Sequence, residues 1–118
     1  MNTADHFVLL DLDHADLRDL DRVVVVRGGV ELVVWRRQYP KDFESTRPNC
    51  GDRWESWNGN IRLVMDVFDD DVNKAGFRVR YLIEQSNGRG SSGNPGDEVE
   101  CGGTSWLYWC RTHARRVP

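Results

Sequence analysis

Asn58-Gly59-Asn60-Ile61-Arg62-Leu63-Val64-Met65-Asp66-Val67-Phe68-Asp69-Asp70-Asp71-Val72-Asn73-Lys74-Ala75-Gly76-Phe77-Arg78-Val79-Arg80-Tyr81-Leu82 reads as two strands around an acidic loop. In the first, Ile61, Leu63, Met65 and Val67 alternate with Arg62, Val64, Asp66 and Phe68; in the second, Phe77, Val79 and Tyr81 alternate with Arg78, Arg80 and Leu82. Successive side chains of a strand point to opposite sides, so each run predicts one apolar face, Ile61-Leu63-Met65-Val67 and Phe77-Val79-Tyr81.

Working upstream, Val23 to Trp35 is β-branched and broken by Arg27-Gly28-Gly29, which predicts strand, turn, strand. Phe7 to Asp13 begins another alternation, and His14–Leu20 between them reads as a polar loop. Tyr39-Pro40, Arg47-Pro48-Asn49-Cys50-Gly51 and Asn58-Gly59-Asn60 carry turn residues. Trp54 and Trp57, just before the first quoted strand, are expected to pack on the core or its rim. Downstream, Gln85 to Gly96 is rich in Gly, Ser and Asn and predicts a flexible linker. The expected organisation is therefore a β domain over 1–84, a linker over 85–100 and a short Cys-bounded tail over 101–118.

Length supports one domain: 118 residues hold a single core. Lys and Arg number 16 against 19 Asp and Glu, so no global charge steers the chain to nucleic acid. Trp35-Arg36-Arg37 and the arginines from Arg111 to Arg116 read as ordinary surface rather than a nucleic-acid reader. The longest apolar run, Val23–Val26, is far short of the roughly 20 residues of a membrane span, so no membrane insertion is expected. Met1–His6 lacks the features of a secretory leader, so an extracellular chain would have its leader outside this sequence.

Four landmarks resemble the later part of a CUB domain. They are Leu10-Asp11-Leu12-Asp13; Asp21-Arg22-Val23-Val24-Val25-Val26-Arg27-Gly28-Gly29; Cys50-Gly51; and the quoted hairpin with its Gly76-Phe77-x-x-x-Tyr81 close. The resemblance spans about Phe7 to Glu84 and implies an all-β, antiparallel β-sandwich of jelly-roll type, incomplete at its N-terminus. The implied function is an extracellular or cell-surface protein-interaction module that is not an enzyme and binds a protein through loops at one end of the sandwich. Opening strands missing from such a sheet leave an exposed edge, which predicts self-association.

Asp13 and Asp21 bracket one loop and Asp69, Asp70 and Asp71 fill another; loops at the same end of a sandwich can converge. Such oxygen-only clusters suit calcium, and no His or Cys accompanies them to favour zinc. Carried over from calcium-binding CUB domains, the metal ligands are Asp13, Asp21 and Asp70, with Asp69 the alternative to Asp70. There the ion fixes loops so that carboxylates such as Asp13, Asp21 and Asp70 grip a partner's basic side chain. The alternative for the same acids is a solvated loop surface.

Of the three cysteines, Cys101 and Cys110 can bridge the tail, while Cys50 reads as a buried inert thiol. His6, His14 and His113 lack a nucleophile motif and read as surface groups. Two other classes remain open: an intracellular β-rich inhibitor or immunity-type binding protein with no metal, and a small metal-dependent hydrolase built on Asp21.

Overall fold

A computed structural model describes residues 19–38, 47–87, 93–111 and 113–118 of the chain. The strand-turn-strand expected around Gly28-Gly29 is present: β1 (Leu20–Arg27) pairs with β2 (Val30–Arg37) along its whole length. Gly28 and Gly29 both adopt positive φ, 56° and 79°, as a two-residue hairpin turn with the twist of its strands requires. The Asp13 ligand and the Phe7–Asp13 strand lie outside the described residues.

β3 (Arg53–Glu55), β4 (Ile61–Asp69), β5 (Phe77–Gln85), β6 (Glu98–Gly102) and β7 (Arg115–Val117) complete one seven-stranded sheet in the order β2-β1-β6-β5-β4-β3-β7. Every neighbouring pair is antiparallel. The all-β, sandwich-like class read from the sequence is thus the class of the fold.

The division after residue 84 is overturned. The chain returns from β5 through a turn at Asn94-Pro95-Gly96-Asp97, where the Asp97 N–H donates to the Asn94 carbonyl and the Asn94 N–H to Asp97 Oδ2. It then re-enters as β6, the strand between β1 and β5. The segment expected to be a tail follows β6 as helix α1 (Gly103–Cys110) and edge strand β7. On α1, Trp106 is wholly buried, and Leu107 and Trp109 join it in the core beside Val23, Val25, Val79, Tyr81, Ile83, Val99 and Cys101. This segment needs no core of its own because it completes that of the domain.

The apolar face of β4 is also corrected. Arg62 and Val64 are buried, and Ile61, Leu63 and Met65 are only half-buried. A bulge between Val64 and Asp66 then shifts the pairing with β5, and past it Val67 packs on the core. One extra residue reverses which parity faces inward. β5 follows the expectation, with Phe77, Val79 and Tyr81 buried.

Trp54 and Trp57 separate. Trp54 meets Trp106 edge-on with ring centres 5.8 Å apart, whereas Trp57 is 74% exposed. All three cysteines are thiols, so the Cys101–Cys110 bridge is absent, and Cys50 is exposed rather than buried. Cys101 lies in β6 within the core, where burial pushes its thiol up to about 12. No described helix is long and apolar enough to cross a membrane.

Candidate functional site

Asp21 opens β1 with its side chain buried, 1% exposed. Both carboxylate oxygens accept from the Gly102 N–H, at 3.0 and 2.9 Å. Ser105 Oγ donates to Oδ2 at 2.5 Å and Arg78 Nη1 to Oδ1 at 3.2 Å. Burial raises the Asp21 carboxyl above its usual range, while Ser105, Gly102 and Arg78 pull it down. Asp21 thereby ties the end of β6 and the start of α1 to β1.

The glycine at this junction is required by space. A Cβ on Gly102 would stand 1.9 Å from Asn73 Nδ2 and 2.5 Å from Asp21 Oδ1. Asn73, in the acidic loop, accepts from the Thr104 N–H and donates to Thr104 Oγ1. The loop between β4 and β5 therefore caps α1, whose N-terminus has no cap of its own.

Two of the expected calcium ligands do approach one another, through a cation that belongs to the protein. Arg78 Nη1 stands 3.2 Å from Asp21 and 3.7 Å from Asp70, and its Nε is 3.3 Å from Glu100. Asp69 is turned aside to Arg47 at 2.6 Å. Among the described residues no three His, Cys, Asp or Glu side chains gather as a metal site. The donor set does not fit calcium: a guanidinium stands between the carboxylates, and both Asp21 oxygens already accept protein donors. Millimolar calcium is expected to leave the thermal midpoint where chelator leaves it; an upward shift that Asp70→Ala abolishes would overturn this.

Beside this junction lies a buried guanidinium. Arg62, 6% exposed, stacks 3.9 Å from the Trp109 ring centre and 4.4 Å from that of Tyr81. Burial lowers its pKa, and no carboxylate pairs with it among the described residues. The aromatic faces supply its electrostatic partner.

The sheet's other face is open in a different way. Arg22, Val24 and Val26 of β1, Glu31 of β2, Arg80 of β5, and Glu98 and Glu100 of β6 line a groove of about 300 Å³. Strand alternation turns these side chains away from α1, so valines form the floor and acids and arginines the walls. Sequence reasoning missed this face because β6 had been assigned to a linker and tail. The Arg78-x-Arg80 and Glu98-x-Glu100 alternations were its only local signal.

No family model, no curated protein and no solved structure matches this chain.

Proposed function

We propose that this chain is a protein-recognition module that binds and does not catalyse, using the groove of the β2-β1-β6-β5 face. The observation that carries the reading is the groove's chemistry: an apolar floor at Val24 and Val26 between Arg22 and Arg80 on one hand and Glu31, Glu98 and Glu100 on the other. Mixed charge around a small apolar floor suits an extended peptide segment carrying both signs; the apolar contact supplies affinity and the charges set register and partner choice. A non-catalytic role is supported by Asp21, Ser105 and Arg78, whose polar atoms hold α1 to the sheet. The resemblance to CUB modules supports the same class of activity.

The thiol state of all three cysteines, with Cys50 exposed, favours the intracellular inhibitor or immunity-type setting over the extracellular one. One experiment addresses partner, face and compartment. A photo-crosslinking residue is placed at Val26 in the groove, or at Val72, 67% exposed on the acidic loop, and the chain is expressed in its native cells. Val26 is expected to yield one protein adduct that Arg80→Glu removes, and the adduct's identity distinguishes a secreted from an intracellular partner. Adducts from Val72 alone, or from neither position, would overturn the groove.

A further inference from the structure

We propose that two copies of this chain pair through β2, joining their sheets edge to edge. The two ends of the described sheet differ in kind. β7 is three residues long and presents Arg115 and Arg116, the short, charged form that discourages further pairing. β2 is eight residues long, pairs with β1 on its inner side throughout, and has no strand on its outer side among the described residues. Its centre is Leu32-Val33-Val34-Trp35, and Val30, Leu32 and Val33 are 60%, 47% and 44% exposed. Such an edge invites another strand.

Its own sequence selects a second copy as the occupant. A two-fold axis perpendicular to the sheet keeps each face on its own side, so antiparallel self-pairing sets odd residues opposite odd and even opposite even. With the axis at Val34, Val33 faces Trp35 twice, Leu32 lies against the Arg36 stem twice, and Glu31 meets Arg37 twice. Val33 opposite Trp35 is a β-branched and aromatic pair, and Glu31 opposite Arg37 pairs opposite charges between exposed side chains. Moving the axis to Val33 instead sets Glu31 against Trp35 and Val30 against Arg36, which discards the charge match. The axis at Val34 is therefore the assigned register. Pairing doubles the sheet and carries two grooves on one continuous face.

Sedimentation velocity of the full chain from about 1 to about 100 µM tests the pairing. Wild type is expected to dimerise reversibly across this range. Glu31→Arg and Arg37→Glu, each of which sets like charges opposite one another twice, are expected to weaken association about tenfold or more. Combining the two restores it, while the thermal midpoint at the lowest concentration stays as in wild type. Recovery in the double variant cannot come from misfolding. A wild type that stays monomeric throughout, single changes without effect, or a double variant that fails to recover would each overturn the proposal.

Discussion

A chain ending at Gln85 is expected to show no cooperative unfolding in urea and no near-ultraviolet circular dichroism, although it keeps both strands of the most legible hairpin in the sequence. Removing the remainder takes away β6, and with it the strand that joins β1 to β5. What stays is a two-stranded β2-β1 ribbon and a separate β5-β4-β3 piece, and an isolated hairpin is marginal at best in water. Val99, Cys101, Trp106, Leu107 and Trp109 leave the core at the same time. Loss of a single large buried side chain typically costs about 2 to 5 kcal/mol, against about 5 to 15 for an entire domain, so five exceed what the fold holds. A cooperative transition in the shortened chain would show that residues up to 85 form a unit by themselves.

Asp21→Ala is expected to destabilise the full chain by about 3 to 5 kcal/mol at neutral pH, because the Arg78 guanidinium, Ser105 hydroxyl and Gly102 N–H lose their acceptor in a buried place. The pH dependence of that loss has a definite sign. Burial is the largest influence and raises the folded-state pKa of Asp21 above its unfolded value. The contribution from this shift is complete below the unfolded pKa and is lost as pH rises through the folded one. The gap between wild type and Asp21→Ala is therefore largest in acid and narrows toward neutral pH. Asp97, held low chiefly by its hydrogen bonds from Arg27, acts in the opposite sense: its contribution is present above the unfolded pKa and lost as pH falls through the folded one. Urea titrations of both chains at several pH values check the difference, which cancels Asp97. A gap that widens with rising pH would mean that the donors outweigh burial.

The hairpins were legible wherever pairing is local. Gly28-Gly29 admits the positive φ of its turn, and the Phe77-Val79-Tyr81 alternation follows the pleat without interruption. The β4 face was misread because a bulge is invisible to a period of two: Ile61-Leu63-Met65-Val67 is the more apolar set, yet Arg62 and Val64 go inward. Arg62 is tolerated there because Tyr81 and Trp109 come from β5 and α1 to receive it. Helix α1 was missed for a related reason. Eight residues beginning Gly103-Thr104 have little helical tendency alone, and packing of Trp106, Leu107 and Trp109 stabilises the helix from outside.

Of the anticipated site, Asp21 and Asp70 do face one group, but that group is Arg78, which the strand pattern marked only as outward-pointing. By itself the sequence determined the class: an all-β chain of antiparallel hairpins, since turn residues and alternation act over a few neighbours. Tertiary structure alone decided that residues 98–118 belong to the core, that a buried carboxylate is held by donors up to 84 positions away, and that charges from β1, β2, β5 and β6 share one groove. These features depend on contacts between distant segments, whose closing entropy is offset only when the whole core forms together, so no short stretch of sequence records them.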